Sequence, residues 1–294
     1  MRVTDRMMFD NANTNIAAGR NKVQTAMQEA SSGMRVTHPG DDPASAGLIV
    51  RSRQVLQRLE AIGTNAGRTN DELGVADSAL QNMGNVVTRI RELTVQMGND
   101  SYSATDRRNA AVEVDQLTRQ VVMLMNTDVN GRYLFAGTND ASPPFDAAGN
   151  YSGDTNVRQV EVAPGLLENS SIRGDVAVKG AGGGVDLFAI LQTLQTALNA
   201  NDGTGVRSAL PQLDTATRQL TDAMASVGSM MNSFDVAKSL AAAGHDDATK
   251  SMAHEQEVDT FESATKLALA NHALEVALTA SANGFRMSLM NKLG

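Results

Sequence analysis

Residues 55–97 read VLQRLEAIGTNAGRTNDELGVADSALQNMGNVVTRIRELTVQM. Every third and fourth residue in alternation picks out Val55, Leu59, Ile62, Ala66, Thr69, Leu73, Ala76, Leu80, Met83, Val87, Ile90, Thr94 and Met97, and none is charged. The same register runs back through Ser52 and Leu48, so one seam of mean spacing 3.5 residues continues for about fifty residues, roughly 75 Å at the helical rise. A helix of that length does not fold back into a compact globule. A seam of this period drifts around a straight helix unless the helix supercoils with a partner, so a second long helix is required elsewhere. The small members, Ala66, Ala76, Thr69 and Thr94, suit close multi-helix packing better than an isolated zipper. No His, Cys or carboxylate lies in the seam, which excludes a metal or cofactor site along it.

With 294 residues the chain can hold one or two domains, yet aromatics are only 3% and Trp is absent, so the core must be Ala, Leu, Val and Met. A net charge of -8 and a pI near 5.0 argue against a nucleic-acid binder, whose phosphate contacts need a basic face. There is no cysteine, hence no disulfide framework and no thiolate site. No stretch approaches the roughly 20 apolar residues that span a bilayer. The opening MRVTDRMMFDNANTNIAAGR carries Asp5 and Asp10 where a cleavable signal needs its apolar run. The expectation is a chain that is soluble, or that leaves the cell by a route needing no such signal.

Met8, Ala12, Asn15, Ile16, Gly19, Val23, Ala26, Met27 and Ala30 give the first segment a thin helical face broken by Asn and Gly, which needs something to complete it. SSGMRVTHPGDDPASAG, residues 31–47, then breaks the helix, and Asp42 with Pro43 reads as N-cap and first position of the seam helix. GNDSYSATDRR is a turn with Ser103 and Asp106 at capping-box spacing. A second helix carries Ala110, Val114, Leu117, Val121 and Leu124, antiparallel to the first, and stops at DVNG, 128–131. From 131 to 184 the chain holds ten of its 25 glycines, which predicts a small inserted β-rich domain with strands at 132–136, 157–162 and 171–178. Gly180, Gly182, Gly183 and Gly184 match neither a dinucleotide nor a Walker loop and read as a hinge capped by Asp186.

Helix signals return at 185–199 and 206–243, where Leu213, Thr217, Leu220, Met224, Val227, Met231 and Phe234 make a plausible partner for the seam. The last helix, from about Thr249, carries Phe261, Ala264, Leu267, Ala270, Leu274, Leu278, Ser281, Phe285, Leu289 and Leu293 along one stripe, expected to be covered by another surface. His38, His245, His254 and His272 occupy four unrelated contexts, and no nucleophile motif or perturbed carboxylate pair is present, so neither catalysis nor a cofactor or metal is expected. Asn169-Ser-Ser matches a glycosylation sequon only formally.

The opening MRV, the SSGMRVTHPGDDPASAG break, the NGRYLFAG turn at 130–137 and the ending SLMNKLG resemble the flagellin superfamily, and most closely the flagellar hook-associated protein 3 family. Ser32, Gly33, Arg35, Asp41, Asp42 and Pro43 match the family's loop. Gly131, Arg132, Phe135 and Gly137 match its entry to the central domain, while Phe285, Leu289 and Leu293 belong to the terminal assembly stripe. The resemblance implies a mainly α, flagellin-like fold with a long-helix coiled-coil rod built from both terminal regions. Residues 1–40 and 249–294 are then the terminal assembly domain, 41–130 and 185–248 the helical rod, and 131–184 the inserted outer domain. It further implies a structural axial protein joining hook to filament, exported through the flagellar type III pathway and located outside the cell. Its partners would be copies of itself in a tube, hook-associated protein 1 and flagellin as neighbours, the export apparatus and an export chaperone, with neither nucleic acid nor membrane. The alternative is a filament flagellin, whose Gln-Ala-Asn and Pro-Gln signature is replaced here by SANGFRMSLMNKLG; a cytoplasmic coiled-coil scaffold explains the heptads but not the loop.

Overall fold

Two small motifs bound the longest helix. The computed structural model describes the backbone of residues 2–293 and the side chains of residues 6, 7 and 9–284. Helix α1 (Arg2–Ser32) ends at Gly33, whose φ of 68° is the left-handed conformation that closes a helix, and whose amide donates to the Glu29 carbonyl at 2.9 Å. Helix α2 (Pro43–Met97) then starts where expected: Asp42 Oδ1 accepts the amides of Ala44 at 3.1 Å and Ser45 at 3.2 Å, and Pro43 has no amide to leave unpaired. The Ser103 and Asp106 capping box is formed and opens α3 (Ala104–Met125).

Asn130 and Gly131, with φ of 54° and 78°, form the two-residue turn between β1 (Asp128–Val129) and β2 (Arg132–Tyr133). A second antiparallel hairpin joins β3 (Gln159–Ala163) to β4 (Leu166–Asn169), and α4 (Gly174–Val178) follows. Asp186 caps α5 (Leu187–Asn199) by accepting the amides of Phe188 and Ala189 at 3.0 and 3.2 Å. Next come α6 (Gly203–Ser208), α7 (Leu210–Gln256) and α8 (Thr260–Leu293). The fold is mainly α and flagellin-like, with a small β-containing region. Within that region the expected strand at 171–178 is instead α4, and 132–136 pairs only at Arg132–Tyr133. The break expected near Thr249 falls at 257–259, so α7 is longer than its apolar stripe.

The chain divides into two compact units, Arg58–Gly244 and Met1–Gln57 with His245–Gly294. The divisions lie inside α2 and α7. Residues 131–184 belong to the first unit and share its core: Leu134, Phe135, Phe145, Ile172 and Val178 join one hydrophobic cluster with α2, α5 and α7.

In the Arg58–Gly244 unit, α2 and α7 run antiparallel. Gly63 lies against Ala241, Asn70 donates to Asp235 at 2.8 Å, Gly74 faces Met231 and Arg91 pairs with Asp214 at 2.6 Å, so one number falls as the other rises in nearly equal steps. Arg89 to Glu113 at 2.8 Å, with Arg107 Nε to the Met97 carbonyl at 2.9 Å, sets α3 antiparallel to α2 as well. Every seam residue from Ile62 to Met97 is buried, and a third column, Glu72, Ala79, Val86 and Leu93, is buried beside them. The stripe is therefore that of a bundle helix, broader than a two-stranded seam. On α7 the buried columns are Leu213, Leu220, Val227, Phe234 and Ala241 with Ala216, Ala223 and Ala237, while Thr217, Met224 and Met231 are half-buried.

The front of the seam departs from expectation. Val55 and Leu48 are 48% and 44% exposed, and Leu59 is half-buried. Leu59 lies against Gly244, and beyond it the half-buried positions of α7 include His245, Ala248 and Met252.

The other unit is an antiparallel pairing of α1 with α8. Ala12, Ile16, Gly19, Val23 and Ala26 are the covered positions on α1; Ser263, Leu267, Ala270, Leu274, Ala277 and Ser281 are those on α8. Gly19 lies against Leu274, and a Cβ there would come within 3.1 Å of the leucine methyl. The glycine that weakens α1 as a helix thus makes room for the largest knob from α8.

Candidate functional site

Of the six loop residues singled out in the sequence, Arg35 and Asp42 meet through one guanidinium. Arg35 donates through Nη1 to Asp42 Oδ2 at 2.8 Å, and through Nη2 to Ser45 Oγ and the Glu255 carbonyl, both at 3.0 Å. Ser45 Oγ in turn donates to Glu255 Oε2 at 2.9 Å, which closes a ring linking the exit of α1, the start of α2 and the end of α7. Backbone bonds run alongside: the Arg35 amide donates to Gln256 O at 2.7 Å and the Val258 amide to Gly33 O at 3.0 Å. The Arg35 hydrogen bond, helped by the Ser45 amide and hydroxyl, holds the Asp42 carboxyl well below the ordinary carboxylate range. Asp41 is likewise lowered, by the amides of His38 and Thr37, and so staples the preceding turn. Ser32 stands beside the ring, its Oγ accepting the Met34 amide at 3.1 Å. Ser45 and Glu255 were invisible in the sequence, because their partner lies 210 residues away.

The second motif sits at the mouth of the inserted region. Gly131 completes the β1–β2 turn, and Arg132 lies 3.6 Å from Glu72 and donates to Asp140 at 2.9 Å. Arg158 reaches the same two carboxylates at 3.3 and 3.2 Å, so two arginines and two acids fasten the inserted region to α2. Phe135 is fully buried, and Gly137, with φ of 78°, lets Asp154 and the carbonyl of Asn156 approach where a side chain would stand. The Tyr151 hydroxyl, driven up to about 12 chiefly by burial and then by Asp175, donates to the Asp154 carbonyl at 3.0 Å.

Two arginines not singled out in the sequence finish α2. Arg107 donates to the Met97 and Asn99 carbonyls at 2.9 and 3.0 Å, and Arg207 to the Gly98 carbonyl at 2.6 Å. The Met97 carbonyl is one that a helix end leaves without an intrahelical partner, and those of Gly98 and Asn99 belong to the turn that follows.

The α8 surface turned away from α1 carries exposed apolar side chains with the exposed polar residues Thr265 and His272 between them. Phe261 is 82%, Leu269 64% and Val276 53% exposed, and they share one face; Met27 on α1 is 63% exposed. The side chains of Phe285, Leu289 and Leu293 lie outside the described residues. Among the described residues no three His, Asp or Glu side chains gather as a metal site, and no helix is long and apolar enough to cross a membrane.

Comparison with known proteins places these elements. Residues 3–140 match the bacterial flagellin N-terminal helical region. Flagellar hook-associated protein 3 of Salmonella typhimurium is 29% identical over 162 residues, 54% of this chain and 51% of that protein. A flagellin of Clostridium tyrobutyricum is 30% identical over 182 residues, 58% of this chain and 48% of that one. The chain thus spans about half the length of these relatives. The structure of a putative flagellar hook-associated protein from Vibrio parahaemolyticus superposes with a TM-score of 0.67 at 18% identity, over 74% of this chain and all of that one, which is a likeness of fold. The chain is thus similar to the bacterial flagellin N-terminal helical region over residues 3–140, and its fold is similar to that of the hook-associated protein.

Proposed function

We propose that this chain is a structural component of the bacterial flagellum that joins hook to filament, and that it works by packing its terminal helices against neighbouring subunits. The observation that carries the reading is the outward face of α8, where Phe261, Leu269 and Val276 stand exposed on a helix whose opposite face is already paired with α1. Large apolar side chains left open in this way gain roughly 1.5 to 3 kcal/mol each when a neighbour covers them.

In this reading residues 1–40 and 249–294 form the assembly region, 41–130 and 185–248 the rod, and 131–184 the outer region, and the chemistry is mechanical rather than catalytic. The subunits form a tube of like copies, with hook-associated protein 1 and flagellin at its two ends. Export is through the flagellar type III apparatus with a dedicated chaperone, and the working location is extracellular. Electron microscopy of flagella from a strain lacking the gene tests it: the proposal expects hooks without filaments, whereas hooks bearing normal filaments contradict it. A filament subunit, the second reading favoured by the match to flagellins, would leave a hook still carrying its junction proteins.

A further inference from the structure

The seam between α1 and α8 does not by itself fix which heptad meets which. Leu274 fills the niche at Gly19. Sliding α8 by one heptad presents Leu267 to the same niche and sets Leu274 against Ala12, so the slipped pairing still puts a leucine over the glycine and a small residue under the other leucine. Heptad seams of this kind need a separate device to specify register.

The device lies at the loop end of the pair. Only Glu257, Val258 and Asp259 connect α7 to α8, and Asp259 caps α8 by accepting the amides of Phe261 and Glu262 at 2.8 and 3.1 Å. Three residues drawn out reach about 10 Å, which is the distance α8 travels in a one-heptad slip at roughly 1.5 Å per residue. Val258 is held there by its amide bond to Gly33, with Arg35 pinned beside it through its own amide to Gln256 and through its guanidinium to Glu255, Ser45 and Asp42.

We propose that Arg35 is a register-setting residue: by tying the exit of α1 to the start of α2 and the end of α7, its guanidinium fixes which heptad of α8 packs on which heptad of α1. A slip would carry the stripe of Phe261, Leu269 and Val276 along α1, so the register also sets where the exposed stripe lies. The inference concerns the single chain and stands apart from the flagellar reading.

The chain contains no cysteine, so introduced pairs report the register directly. Ile16→Cys with Ala277→Cys marks the observed pairing and Ile16→Cys with Ala270→Cys the slipped one; both alanines are half-buried on the α1-facing side of α8. In the purified full-length chain, oxidation should form the first disulfide at least about tenfold faster than the second, and adding Arg35→Ala should bring the two within about twofold. Three results would overturn the proposal: undiminished selectivity in the Arg35→Ala chain, loss of both disulfides in it, or no selectivity with Arg35 in place. The second would mean that Arg35 merely holds the helices together.

Discussion

At the scale of single residues, the fold depends on charged groups whose partners are far away in sequence. Asp42 was legible as a helix cap because capping is local, whereas Arg35, matched to a loop motif, could not be assigned its bonds to Ser45 and Glu255. With its carboxyl held below the ordinary value of about 3.9, Asp42 supports the folded state above about pH 4, and this support is lost as pH falls through the depressed folded value. A carboxyl NMR titration of the full chain should show Asp42 still charged at about pH 3; a midpoint in the ordinary range would contradict the Arg35 contact. Glu72 gives the opposite lesson. Lying one place off the seam, it reads as a solvated position, but its side chain is 11% exposed and faces Arg132 and Arg158. Glu72→Ala should destabilise by about 1 to 3 kcal/mol, because two partly buried guanidinium groups are left to share Asp140. A thermal melt indistinguishable from that of the unmodified chain would show that the four-residue network contributes nothing.

At the scale of elements, periodicity identified α2 and its partner because both helices bury heptad columns over many turns, and a repeated signal survives the noise of single positions. It could not show where the seam ends. Leu48 and Val55 continue the period of α2 but are exposed, since burial depends on what α7 offers opposite them and not on their own spacing. Leu73→Ala should therefore cost about 2 to 5 kcal/mol, and Val55→Ala no more than about 0.5 kcal/mol. Equal shifts in chemical denaturation for the two variants would refute the division of the seam. The strand expected at 171–178 failed for a related reason. Val176 and Val178 favour a strand locally, but the α4 turn buries Ala177 and Val178 in the shared core, and Gln219 secures it by donating to the Val176 and Ala177 carbonyls at 3.1 and 3.0 Å.

At the scale of the whole molecule, the mainly helical build and the insertion between the long helices were legible, because each rests on composition or on a long repeat, whereas the pairing of the two terminal segments came only from the family resemblance. The shared core of 131–184 was not legible, since Phe135, Phe145 and Ile172 are widely spaced in a glycine-rich stretch and acquire their core partners only in the folded chain. The central claim is that the outward face of α8 is completed by neighbouring subunits. The double variant Phe261→Asp, Leu269→Asp changes two side chains that are 82% and 64% exposed, so the melting transition of the purified protein should stay within about 1 kcal/mol of the original. The decisive measurement is electron microscopy of flagella when this variant replaces the native protein in a strain lacking the gene: the account predicts hooks without filaments, and filaments of normal number and length would contradict it.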